Sequence, residues 1–134
     1  MLEEVWRRAN GAERIDRLIV ATDDERIADA ARSFGSEVSM TSDRQPSGTD
    51  RAAGVLDALD RAVDVVLVVQ GDEPLVSGTS LDRLIACFDD DAPAMATLSV
   101  PLDDIDDLFN ANVTKVVVDD HGRALNFSRA PLPY

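Results

Sequence analysis

The stretch Gln70-Gly71-Asp72-Glu73-Pro74 joins residue types suited to metal and phosphate chemistry. It directly follows an apolar run at 65–69, so a strand there would deliver Asp72 to the end of a sheet. Gly71 permits close backbone approach, and Pro74 stops the strand from continuing. A carboxylate so placed suits Mg²⁺, which keeps several waters and binds through one or two carboxylates plus the phosphates of a substrate. The same residues also compose an ordinary turn, with Glu73 facing solvent. A second loop, Ser47-Gly48-Thr49-Asp50-Arg51, gathers two hydroxyls, a guanidinium and the free amides of a helix start. Helix amino termini attract acceptors, and Gly48 removes the side chain that would obstruct a base or sugar. Plain capping by a Ser-x-x-Asp box is the other reading of these residues.

The elements that must position these loops follow from periodicity and stop signals. Leu2, Val5, Trp6 and Ala9 form one helical stripe, ended by Asn10-Gly11. A short apolar strand at 17–22 feeds Thr22-Asp23-Asp24-Glu25, which has the form of a capping box. The helix that follows has the inner stripe Ile27, Ala30, Ala31 and Phe34, ends at Gly35, and leads to a strand at 37–41. Ser47 or Thr49 then caps a helix with the inner face Ala52, Val55, Leu56, Leu59 and Val63. The run at 65–69 is apolar at every position, as expected for a central strand covered on both faces. Leu81, Leu84, Ile85 and Phe88 continue the helical rhythm, and strands are expected at 95–100, 115–118 and 125–127, with Asp119-Asp120-His121-Gly122 turning between the last two. This alternation implies an α/β fold in which a mostly parallel sheet lies between two helical layers, with ligands gathering outside the carboxyl ends of the strands. Both loops fall there.

At 134 residues the chain has the size of one domain, 1–134. Its 26 acidic and 13 basic residues give a net charge of −13, and Lys115 is the only lysine. No nucleic-acid partner is therefore expected. A polyphosphate needs local cations or a metal to approach, because screening at physiological salt acts over about 8 Å. The acidic, lysine-poor composition also suits life in high salt. No run approaches the roughly 18 to 20 apolar residues of a membrane span, and the opening Met-Leu-Glu-Glu-Val-Trp-Arg-Arg has no secretory character, so a cytoplasmic location is expected. Cys87 falls within a helical pattern and reads as a buried thiol, while His121 sits in a turn and is not read as a base.

Several segments in register carry a resemblance that neither loop carries alone. They are Ile19-Val-Ala-Thr-Asp-Asp-Glu-Arg-Ile27, Pro46-Ser-Gly-Thr-Asp-Arg51, Val69-Gln-Gly-Asp-Glu-Pro-Leu75, Met95-Ala-Thr-Leu98, Asn112-Val-Thr-Lys-Val-Val117 and Phe127-Ser-Arg-Ala-Pro-Leu-Pro-Tyr134. Over nearly its whole length the chain resembles the 3-deoxy-manno-octulosonate (Kdo) cytidylyltransferases, also called CMP-Kdo synthetases. The resemblance implies a three-layer α/β/α, Rossmann-like and GT-A-like nucleotidyltransferase domain. It implies a reaction in which the anomeric hydroxyl of Kdo attacks the α-phosphate of CTP, giving CMP-Kdo and pyrophosphate for lipopolysaccharide-type polysaccharides. Carried across, it puts Ser47, Gly48, Thr49 and Arg51 in the cytidine pocket, Gln70 beside the reacting groups, Asp72 on Mg²⁺, and Arg129 near the acidic sugar. From the residues alone, Arg129 also reads as a surface ion-pair partner, and Asp23-Asp24-Glu25 as helix capping.

The sequence also departs from that family. Its members begin with a strand and a Gly/Arg/Lys-bearing loop that grips the triphosphate, whereas this sequence opens at the following helix. It stops at Pro133-Tyr134, ahead of further sugar contacts, a second metal carboxylate and much of the surface through which the full-length family dimerises. Gln45 stands where the family commonly has His, which bears on nucleotide recognition. The expectation is a truncated domain that is inactive alone, since removal of one preorganised donor already costs about 100-fold to 1000-fold in rate. Unpaired strand edges would promote self-association. Two other classes fit some of the residues. A phosphoacceptor receiver domain would use Asp23, Asp24, Asp72 and Lys115, although Lys115 precedes its strand instead of following it. A non-catalytic nucleotide-sugar binding module would need no phosphate grip.

Overall fold

A computed structural model of the chain describes residues 1–89 and 93–132, so Pro133-Tyr134 of the last resembling segment lies outside the described residues. The chain divides into two compact units, Met1–Ala96 and Thr97–Tyr134.

In the first unit, α1 (Leu2–Ala9) buries Val5 and Ala9 and sets Trp6 against Phe34, with ring centroids 5.4 Å apart. Its exposed face carries the Arg7–Glu3 and Arg8–Glu4 pairs, one turn apart. Strand β1 (Ile19–Thr22) pairs in parallel with β2 (Glu37–Met40), from Ile19 opposite Glu37 to Thr22 opposite Met40. Their connection is α2 (Glu25–Ser33), ended by Gly35 at a φ of +87°, which only glycine adopts freely. Of the expected inner stripe of α2, Ala31 is buried and Phe34 meets Trp6, but Ile27 and Ala30 are exposed and Ala28 takes the buried place. Ala28 and Ala31 are fully buried, whereas Ile27 is 42% exposed. The small side chains let the helix lie directly on β1 and β2.

Helix α3 (Gly48–Asp57) is shorter than its pattern suggested. Ala58 and Leu59 donate to the carbonyls of Val55 and Leu56, tightening the last turn, so Leu59 and Val63 fall outside the helix. The expected central strand at 65–69 is the largest correction. These residues belong to no ladder among the described residues, and their exposure alternates, with Val66 and Val68 each 43% exposed. Unbroken apolarity signals that both faces can be buried, but burial requires a layer on each. Here Leu84, Ile85 and Phe88 line a cavity with Val65 and Leu67.

Helix α4 (Gly78–Ala86) is capped by Ser77, whose hydroxyl accepts from the Ser80 amide. Its start lies against the turn after α1 so closely that a Cβ on Gly78 would stand 2.8 Å from Gly11 C and from Ala12 N. Asp82 fastens the same turn by accepting from the Glu13 and Arg14 amides at 3.1 and 2.9 Å. Cys87 is exposed, not buried as expected, because it lies off the stripe of Leu81, Leu84, Ile85 and Phe88 that turns inward. The strand expected at 95–100 does not form, and Met95 and Val100 are 85% and 87% exposed.

The second unit holds α5 (Ile105–Phe109), a short helix that the sequence pattern did not announce, capped by Asp104. Strands β3 (Lys115–Val118) and β4 (Ala124–Ser128) then form an antiparallel hairpin with a register shift at Val117/Val118. Asp119 organises the turn by accepting from the His121 and Arg123 amides and the Arg123 guanidinium, and Gly122 takes a φ of +76°. The α/β class stands, but parallel pairing among the described residues is confined to β1 and β2. Among the described residues no helix is long and apolar enough to cross a membrane.

Candidate functional site

The carboxyl end of β1 divides its two aspartates between different tasks. Asp24 caps α2: its backbone is extended, and its carboxylate accepts from the Arg26 amide at 2.8 Å and from the Arg26 guanidinium. Those bonds, the guanidinium first, hold its carboxyl down to a pKa of about 2. The cap is thus Asp24 and not Thr22, whose hydroxyl instead accepts from the Asp24 amide at 3.1 Å. The extended φ/ψ that a cap requires falls at Asp24, one residue before the first helical position. Asp23 pairs with Arg51, 3.2 Å from Nη2, while Nη1 of Arg51 donates to the Thr41 hydroxyl. Arg51 therefore ties α3 to the ends of both strands, through an aspartate that the sequence did not mark as its partner.

At the start of α3 the Ser47 hydroxyl accepts from the Asp50 amide at 3.1 Å and also meets the Asp50 carboxylate, so the capping reading of this box is realised. The Gly48 and Thr49 amides lie in the first turn, where helical amides have no partner within the helix. Gly48 faces Gln70: a Cβ built on it would stand 3.4 Å from Gln70 Nε2 and 4.0 Å from Oε1. The two loops singled out in the sequence are therefore neighbours. The Gln70 corner is closed by the Glu73 amide donating to the Gln70 carbonyl at 3.2 Å, and Gly71 rests on Leu2 of α1, to which a Cβ there would come within 3.5 Å. Gln45 lies over α3, its Nε2 2.9 Å from where a Cβ on Gly54 would be.

Asp72 and Glu73 are exposed, and no group of three His, Cys, Asp or Glu side chains suited to a metal ion occurs among the described residues. This donor set fits an ion that brings most of its own ligands, as Mg²⁺ does when it arrives with a nucleotide. It does not fit a closed protein cage.

In the second unit Arg129 is exposed, and its Nη1 donates to the Ala111 and Asn112 carbonyls at 3.0 and 3.3 Å, not to a surface carboxylate. Lys115 is only 5% exposed and donates from Nζ to the carbonyls of Asn110, Val113 and Arg129. Its ammonium is thereby consumed, which removes the cation that a receiver-domain reading required. Sequence reasoning missed this role; the available signal was one lysine in a chain whose other bases are all arginine.

The family described as "Cytidylyltransferase" matches residues 1–134. The chain is 47% identical over 136 aligned positions to 3-deoxy-manno-octulosonate cytidylyltransferase of Chromohalobacter salexigens, covering 100% of this chain and 52% of that protein. It is 46% identical to the protein of the same name from Pseudomonas syringae pv. tomato, again over 100% of this chain and 53% of the relative. A solved structure of CMP:2-keto-3-deoxy-manno-octonic acid synthetase complexed with CTP superposes with a TM-score of 0.84 at 32% identity, covering 99% of this chain and 54% of that one. The likeness supports the Rossmann-like reading of the fold. The chain spans about half the length of the relatives it matches. On the match over its full length, the chain belongs to the cytidylyltransferase family.

Proposed function

We propose that this chain carries the cytidine-binding part of an enzyme that transfers CMP from CTP to Kdo, forming CMP-Kdo and pyrophosphate. The observation that carries the reading is Gln70 against Gly48, which puts the Asp72 corner beside the first-turn amides of α3. Ser47, Gly48 and Thr49 present the polar edge that receives the nucleotide. Arg51, pinned by Asp23 and Thr41, holds that edge in place. Gln70 directs an amide toward the reacting groups, and Asp72 holds Mg²⁺. The ion, when bound, offsets charge that builds on the phosphates during transfer. The rest is positioning, which well-oriented groups supply by converting a bimolecular encounter into a local step. Arg129 meets the carboxylate of the acidic sugar, a part of the proposal that rests on the second unit alone.

The names of the relatives and the CTP in the solved neighbour support the choice of substrates. The proposed setting is cytoplasmic synthesis of a lipopolysaccharide-type precursor by one domain comprising both units. The full-length enzyme would be a homodimer, and the 134-residue chain is expected to self-associate and to turn over negligibly alone. Titration with CTP, with and without Mg²⁺, tests the reading. Mg²⁺ should tighten binding at least about 10-fold, and Asp72→Asn should abolish that gain, equivalent to about 1.4 kcal/mol. Binding of CTP that ignores both Mg²⁺ and the substitution rejects it. Pyrophosphate release measured with CTP and Kdo separates a binding fragment from a complete enzyme.

A further inference from the structure

The peptide carbonyls at 110–113 all serve as acceptors for two cations. Lys115 Nζ takes Asn110 and Val113 at 2.8 and 2.9 Å, and Arg129 Nη1 takes Ala111 and Asn112 at 3.0 and 3.3 Å. Lys115 also donates to the carbonyl of Arg129 itself at 2.7 Å. The Asn112 amide closes the loop further by donating to Asn110 Oδ1 at 2.9 Å.

A buried ammonium is costly unless its donors are satisfied, and Lys115 has three donors and three acceptors. An apolar side chain would fill the same space without that desolvation. What the ammonium adds is direction. It requires carbonyls from two separate segments to converge on one point, and so fixes the main chain of Arg129 to the loop that its own side chain grips. Among the described residues only Nη1 is spent in this way, which leaves the Nε and Nη2 edge on an exposed side chain. That edge has the fork geometry that takes a carboxylate through two parallel bonds. In a chain of net charge −13, two adjoining cations are also what an anionic sugar needs to approach.

We propose that Lys115 is a positioning residue, which sets the loop at 110–113 and thereby the free edge of Arg129 for the carboxylate of a sugar acid. The inference rests on the reading of Arg129 as a sugar contact and adds the group that makes it competent. Lys115 touches no substrate.

The test follows the Arg129 Nε–H signal by NMR in the full chain during titration with Kdo, for wild type, Lys115→Met and Lys115→Arg. Lys115→Arg keeps a cation but replaces a three-donor head with a planar fork, so it stays informative where the Met variant does not fold. Cross-strand contacts between Val116 and Phe127 report the hairpin. The expected result is a hairpin kept in at least the Arg variant, a displaced Arg129 signal, and Kdo affinity at least about 10-fold weaker. A folded variant with the wild-type Arg129 signal and wild-type Kdo affinity overturns the proposal, because a merely structural lysine would change stability alone. Absence of any Kdo response in wild type overturns the sugar contact. The displacement of the Arg129 signal between wild type and variant then still decides, separately, whether Lys115 sets that side chain.

Discussion

Gln70 lays its side-chain amide against Gly48, so that the corner after the apolar run and the first turn of α3 meet through that amide. A methyl at position 48 would stand at 3.4 Å, the edge of ordinary contact, but a branched side chain would have to displace the amide. Gly48→Val is expected to weaken CTP binding at least about 10-fold while changing stability by no more than about 1 kcal/mol, as for an exposed position. Calorimetric titration beside urea denaturation checks both halves. Unchanged CTP affinity would remove Gln70 from the nucleotide site.

Gly78 faces main chain, which cannot rotate aside as a glutamine can. A Cβ there would lie 2.8 Å from Gly11 C and Ala12 N and 2.9 Å from Gly11 O. Gly78→Ala is expected to destabilise the first unit by about 1–3 kcal/mol, the usual cost of overpacking. The urea midpoint measures it, and a midpoint equal to that of wild type would show that α4 does not sit this tightly on the turn after α1.

Asp24 makes stability depend on pH in a definite direction. Its carboxyl is held down to about 2 by Arg26, below the ordinary range of an unfolded carboxylate at about 3.9. The folded state therefore binds this proton less readily than the unfolded state does. The contribution is fully present above about pH 4 and is lost as pH falls toward 2. In Asp24→Asn that part of the acid slope should disappear. Denaturation midpoints between pH 2 and 6 for the two proteins decide the matter, and parallel curves would refute it.

Much of the secondary structure was legible because it rests on neighbours within one or two turns. The stripe Val5 and Ala9, the Ser47 cap, the stop at Gly35, and the β3–β4 turn with Gly122 all use residues no more than a few positions apart. The errors arose where a local pattern was asked to report a distant layer. Ile27 and Ala28 are adjacent and both apolar, and only contact with β1 and β2 selects Ala28 for burial. The run at 65–69 has the composition of a central strand, yet which faces and edges are covered depends on chain far from it in sequence.

The candidate site divides along the same line. Adjacent residues by themselves determined that Gly71-Asp72-Glu73-Pro74 turns, that Ser47 begins a helix, and which family the motifs resemble, because turns, caps and motifs are properties of short segments. Only the tertiary structure decided that Gly48 meets Gln70, that Arg51 is held by Asp23, and that Lys115 is enclosed by three carbonyls. Each of those last relationships joins segments brought together by chain return, and an ion or an amide takes whichever partner the fold sets within a few ångströms of it.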